Sequence, residues 1–199
     1  MRTRPRVLLD VDGVLGDYVA AILPVARAIA GKAFLRSDVD QWDIAKALSL
    51  SPPEGDAMFA ATRELGFCAS IPVLPGAVEG VRALRSVSDV YFVTSPTHGR
   101  HWYYERTEWL VRHFDALVEH VVHAKRKELV AGDVFVDDKP EHVWDWCRHH
   151  AAGRGILWDA PYNRSVDMGY LPRTMSWKHV LDIVGEVARR SAIGDVGVK

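Results

Sequence analysis

The chain has 199 residues, 48% of them hydrophobic, enough to bury a real core as one enzyme domain with a modest insertion. Its 25 basic and 26 acidic residues nearly cancel, which leaves no basic excess for a nucleic-acid polymer or an acidic membrane surface and points to small-molecule partners. Cys68 and Cys147 are the only cysteines and form no Cys-x-x-Cys pair, so reduced thiols in a cytoplasm are expected.

Arg2, Arg4 and Arg6 open the chain, but Asp10 and Asp12 break the apolar run behind them, which argues against a signal peptide and for a solvated tail. The longest greasy stretch, 18–26, is far too short to span a membrane and contains Pro24, so the protein is expected to be soluble. The first strand is expected over 7–11. It delivers Asp10 and Asp12, two residues apart and therefore on one face, followed by Gly13, which lets the backbone turn away closely. Two such carboxylates suit phosphoryl transfer: one attacks phosphorus in line, and the other protonates the departing oxygen and later activates water. The competing calcium-loop reading requires a Glu six residues after the glycine, and position 19 is Val.

From residue 17 to 75 the chain reads as a helical insertion, with helices expected over 17–30, 37–48 and 56–65 and a Pro52-Pro53 turn before the last. Placed directly after the acidic pair, it reads as a cap over a pocket, hinged at Gly16 and at 71–76. Residues 1–16 and 76–199 then form the main domain. The remainder alternates helix and strand, with helices expected over 76–85, 105–114, 141–150 and 176–189, and strands over 90–94, 117–122, 134–137 and 155–158. Such alternation means α/β architecture with a parallel sheet and helices on both faces, and sites beyond the strands' carboxyl ends.

Those ends carry the remaining polar clusters. The strand over 90–94 closes on Thr94 and Ser95, whose hydroxyls suit phosphate oxygens. Lys127 follows the strand over 117–122 and can neutralise a transferring phosphoryl group. The strand over 134–137 delivers Asp137 and Asp138. Singly, each cluster is as easily a turn, a solvated lysine or a helix cap; in this order, each closing an apolar strand, they point to catalysis. Carboxylates this close repel one another and drift toward protonation. A divalent cation removes that cost, and oxygen-only ligation with phosphate as co-ligand suits Mg²⁺.

The word Asp10-Val-Asp12-Gly-Val-Leu15 resembles the first motif of the haloacid dehalogenase (HAD) superfamily, and the hydroxyl, lysine and acidic pair match its later motifs in order. The resemblance implies a HAD-like Rossmannoid three-layer sandwich, with Asp10 as nucleophile, Asp12 as acid/base, and Thr94 and Lys127 on the phosphoryl group. It also implies Mg²⁺ ligation by Asp10, the Asp12 carbonyl and Asp138, with Asp137 in support. Leu74-Pro-Gly, Thr94-Ser-Pro, Trp109-Leu-x-x-His-Phe, Lys127 ten residues before Asp137, Asp159-x-x-Tyr-Asn163-Arg and Ser176-Trp177 narrow the resemblance to the 5′(3′)-deoxyribonucleotidase family over nearly the whole chain. That implies a phosphomonoesterase for (deoxy)nucleoside 5′-monophosphates and a homodimer. Alternatives are another small phosphoester, such as a sugar phosphate, and a non-catalytic nucleotide binder. Tyr18, Trp42 and Phe67 offer flat surfaces for a base, while Ser95 and Lys125 are further substrate-contact candidates.

Overall fold

The structure is a computed structural model that describes residues 4–97 and 99–194, with side chains as far as 190; Arg2 lies outside it. Six parallel strands make one sheet: β1 (Arg6–Leu9), β2 (Asp89–Thr94), β3 (Val121–His123), β4 (Val134–Asp137), β5 (Arg154–Trp158) and β6 (Arg173–Thr174), in the order β3-β2-β1-β4-β5-β6. The order reverses between β1 and β4, and in a doubly wound sheet the crevice beyond the strand ends at that reversal is where ligands sit.

Side-chain alternation divides the sheet's two faces. Val7 and Leu9 of β1 join Val90, Phe92, Val134 and Val136 on one face, under α4 (Ala77–Val87), α5 (Trp102–Phe114) and α7 (Trp177–Gly194). Leu8, between them, faces the other way and packs with Val93, Phe135 and Trp146 of α6 (Pro140–His149). This is the expected three-layer α/β sandwich.

The helical stretch after β1 contains α1 (Tyr18–Ala30), α2 (Ile44–Ala47) and α3 (Pro52–Ala61). It has a cluster of its own, in which Val19, Ile22, Leu23, Phe34, Leu48 and Met58 are buried. Two chain passes connect it to the sheet. They lie antiparallel at Gly16 and Val73, with the Asp17 N–H donating to the Pro72 carbonyl at 2.7 Å and the Leu74 N–H to the Leu15 carbonyl at 2.7 Å. A Cβ on Gly16 would sit 3.1 Å from Ile71 and 3.4 Å from Trp109, so the crossing is tight.

Several boundaries differ from expectation. β1 stops at Leu9, two residues early, because the N–H groups of Leu15 and Gly16 fold back onto the Val11 carbonyl and start the turn. The strand expected over 117–122 pairs only from Val121; Val118–His120 is a 3₁₀ turn with Val118 exposed. The helix expected over 37–48 is interrupted. Asp38 accepts from the Leu35 N–H at 2.7 Å and Asp43 from the Lys46 N–H at 3.2 Å, so two aspartates act as caps and split the stretch into a 3₁₀ turn and α2. Pro52 and Pro53 open α3 rather than a turn, since a first helical turn needs no N–H from them, and Glu54 closes a capping box on Ser51. β6, two residues long, has no pattern that could announce it. Among the described residues no helix is long and apolar enough to cross a membrane.

Candidate active site

Asp10 follows β1 directly, tied to the neighbouring strand by its N–H on the Val136 carbonyl at 2.8 Å. β4 ends in Asp137, with Asp138 next, so the sheet brings the ends of two adjacent strands together. Carboxylate oxygens of Asp10, Asp137 and Asp138 lie within 4.8 Å of one another, all three buried. Lys127 fills the space between two of them: its Nζ is 2.6 Å from Asp10 Oδ1 and 2.7 Å from Asp137 Oδ2, and the side chain is 1% exposed.

The acidic neighbours are not equivalent. Asp137 is fully committed, with Oδ2 shared between Lys127 and His142 Nδ1 (3.1 Å) and Oδ1 accepting the Lys139 N–H at 2.8 Å. Asp138 Oδ2 accepts from the Tyr162 hydroxyl, and its main-chain carbonyl accepts from Asn163 Nδ2 at 2.7 Å. Asp138 Oδ1, although buried, has no partner among the described residues. Gly13 makes this approach possible. Its φ is +84°, and a Cβ there would fall 1.8 Å from Asp138 Oδ2.

Electrostatics follows the same division. Burial, reinforced by the charge of Asp137, pushes Asp10 up to about 7 against the pull of Lys127. Burial and the charges of Asp10 and Asp137 hold Asp138 well above the ordinary carboxylate range. Burial acts upward on Asp137 as well, but Lys127 and His142 together outweigh it and leave that carboxyl below its ordinary value. Lys127 is buried too, yet its two carboxylate partners keep it firmly protonated. Three acids share one lysine, so the cluster is short of positive charge. An uncommitted buried oxygen on Asp138 and an all-oxygen donor set are what a hard divalent cation requires.

A cavity of about 680 Å³ opens on this cluster, lined by Asp10, Asp12, Lys127 and Asp138 from the sheet side and by Tyr18 and Trp42 from the helical stretch. Thr94 ends β2 completely buried, with Oγ1 lacking a partner among the described residues. Ser95 lines the cavity, its hydroxyl 3.4 Å from the Ala124 carbonyl. Trp42 is half exposed, edge-on to Tyr162 with centroids 5.6 Å apart, and Lys139 Nζ stands 5.0 Å from its ring. Three expected contacts are absent from this lining, and the buried Thr94 is one of them. Phe67 is absent from the lining and packs against the edge of Tyr18 at 5.8 Å. Lys125 lines an adjoining cavity of about 580 Å³, which shares Tyr18, Phe59 and Thr97 with the first.

Sequence reasoning passed over Arg106, whose Nη2 donates to Asp12 Oδ1 at 2.6 Å, and His142, and it named Tyr162 and Asn163 only as parts of a motif, without their support of Asp138. A signal for the first existed: an arginine between Trp102 and Trp109 on the buried stripe of α5 has no apolar reason to be there.

Residues 4–191 match the family model described as 5′ nucleotidase, deoxy (pyrimidine), cytosolic type C protein. The chain belongs to this family. Relatives span nearly all of it: a Bordetella pertussis protein assigned to the 5′(3′)-deoxyribonucleotidases is 31% identical over 94% of this chain and 99% of its own. The mitochondrial 5′(3′)-deoxyribonucleotidase of Mus musculus is 26% identical over 89% of this chain and 85% of its own. As a member of this nucleotidase family the protein is a phosphomonoester hydrolase. Solved structures agree on a HAD-like fold. A haloacid dehalogenase-like family protein of Streptococcus pneumoniae superposes with a TM-score of 0.62 at 11% identity, covering 92% of this chain and 99% of its own. A HAD family hydrolase of Deinococcus radiodurans does so at 0.58 and 15% identity, over 93% and 96%.

Proposed function

We propose that the protein is a Mg²⁺-dependent phosphatase that releases phosphate from (deoxy)nucleoside 5′-monophosphates through an aspartyl-phosphate on Asp10. The carrying observation is the trio of buried carboxylates around a single lysine, with one Asp138 oxygen uncommitted at the floor of a cavity large enough for a nucleotide. Asp10 and Asp138 would hold the cation, with the Asp12 carbonyl as the family resemblance implies, and Asp137 would brace Lys127 and the turn. Bound there, Mg²⁺ would offset the mutual repulsion of the acids and draw charge from the phosphoryl oxygens.

The chain's own residues account for the remainder. Lys127 fixes the Asp10 carboxylate and presents positive charge beside the nucleophilic oxygen. Thr94 has a buried hydroxyl at the end of β2 with no partner among the described residues, suited to a phosphoryl oxygen. As Asp10 forms its bond to phosphorus and the ester P–O bond breaks, Asp12 gives its proton to the sugar oxygen. It then takes one from the water that attacks the acyl-phosphate, which frees phosphate and restores both acids. The helical stretch over 17–75 acts as a cap, from which Tyr18 and Trp42 offer faces to the base.

A phosphate-release panel of deoxynucleoside and ribonucleoside monophosphates and sugar phosphates, run on wild type and Asp10→Asn, tests this. Preference for nucleotides with loss of at least about 10⁴-fold in the variant is expected. Sugar-phosphate preference would replace the substrate assignment, and equal background turnover in both proteins would remove the activity.

A further inference from the structure

Arg106 is completely buried on α5, yet it lines neither cavity. Its guanidinium carbon lies 4.9 Å from the Trp102 ring centroid and 5.1 Å from that of Trp109, so the cation is stacked between two indoles one helical turn to either side. Of its donors, Nη2 reaches Asp12 Oδ1 at 2.6 Å, while Nε and Nη1 have no partner among the described residues. A buried cation costs several kcal/mol in desolvation unless something offsets it. Here two aromatic faces and one carboxylate oxygen do so, and the carboxylate is the acid/base candidate.

We infer that Arg106 is the positioning residue for Asp12: it clamps Oδ1, fixes the rotamer, and leaves Oδ2 as the single oxygen that exchanges a proton at the reacting ester. This rests on the role given to Asp12 above. Asp12 lies beyond the end of β1, held only by an isolated bridge to Gly16, and its side chain is about a quarter exposed, 26%, so without the clamp it would sample several rotamers. A general acid contributes only within hydrogen-bond reach of the leaving oxygen. The indole stack keeps the guanidinium from following Asp12 into the cavity, which makes α5 the reference for the geometry. Arginine is required over lysine because its planar fork can lie flat between two rings while directing one N–H along a defined line.

The inference has a leaving-group signature. A nucleoside departs as an alcohol and needs a proton, whereas 4-nitrophenolate is a stable anion and needs little help. The measurement is kcat/KM, which covers steps up to phosphoryl transfer, on a nucleoside 5′-monophosphate and on 4-nitrophenyl phosphate. Wild type, Arg106→Met, Arg106→Lys and Asp12→Asn are compared at saturating Mg²⁺, each checked by circular dichroism and thermal melting. Arg106→Met should lose about 10²-fold or more on the nucleotide and less than about 10-fold on the aryl ester. Arg106→Lys should recover part of the nucleotide loss. Equal losses on both substrates would mean a merely structural arginine and overturn the inference, as would an unchanged nucleotide value. Should Arg106→Met fail to fold, Arg106→Lys carries the same comparison: a larger loss on the nucleotide supports the clamp, and equal losses overturn it. Asp12→Asn separates the two levels. Selectivity in Asp12→Asn but not in the Arg106 variants refutes the clamp alone, and its absence in Asp12→Asn refutes the acid/base assignment itself.

Discussion

Lys127 stands between Asp10 and Asp137 with no water-facing surface to speak of, so its removal leaves the buried Asp10 carboxylate facing Asp137 without its cation, and Asp137 with only His142 and the Lys139 N–H. Breaking a buried pair from one side costs about 3–5 kcal/mol. Lys127→Met should therefore lower the melting temperature as well as abolish turnover, and more at pH 8 than at pH 5, where Asp10 can take up a proton. An inactive but equally stable variant would show that the lysine is dispensable to the fold. The motif residues at this scale were legible in the sequence because each is a polar group closing an apolar strand. Asp137 and Asp138, however, are adjacent, of one type, and indistinguishable as letters. What separates them is that His142 and the Lys139 N–H, both close in sequence, saturate one, while the Tyr162 hydroxyl, 24 residues away, occupies half of the other, a contact that no local pattern announces. Arg106 went unseen for the same reason, since its partner lies 94 residues away.

At the scale of elements, the sheet does the positioning, and its strands were readable because buried parallel strands are apolar runs with abrupt polar ends. β4 falls where its pattern puts it, at Val134–Asp137. β3 and β6 were harder to read because pairing decides them: Leu117 and Val118 are as strand-like as Val121 and Val122, but the 3₁₀ turn over Val118–His120 takes them out of the pairing with β2, which starts at Val121. The helical stretch was misjudged wherever an aspartate or proline could serve either a turn or a cap, a choice settled by Asp38, Asp43 and Ser51 in three dimensions. The turn after β1 yields a prediction of its own. Gly13→Ala places a methyl group inside the Asp138 carboxylate and 2.6 Å from the Tyr162 hydroxyl, on a backbone angle of +84°. Activity should fall by about 10²-fold or more, as misplacing a catalytic group by an ångström does, with apparent Mg²⁺ affinity weakened alongside. Unchanged Mg²⁺ dependence would separate the turn from the metal site.

For the whole molecule, the acidic cluster makes stability depend on pH. The Asp10 carboxyl is raised from its ordinary 3.8 to about 7 in the folded chain, so the native state retains a proton that the unfolded chain releases. Metal-free stability must then fall as pH rises across that interval and level off above it, so far as this group is concerned. Mg²⁺ binds the folded state and competes with protons for the same oxygens. Its stabilisation should therefore be small at pH 5 and grow through pH 7 to 8, as thermal melts with and without the ion would read. A shift of the same size at every pH would mean that the ion binds elsewhere.

Formation of the covalent intermediate is tested by rapid quenching of the enzyme during turnover of its best nucleotide with Mg²⁺, followed by borohydride reduction and peptide mass spectrometry. An acyl-phosphate on Asp10 is reduced to homoserine, so position 10 should carry that change only when substrate is present, and Asp10→Asn should show none. Full phosphate release with position 10 unmodified, or a reduced acid at any other position, would contradict the assignment of Asp10 as the nucleophile.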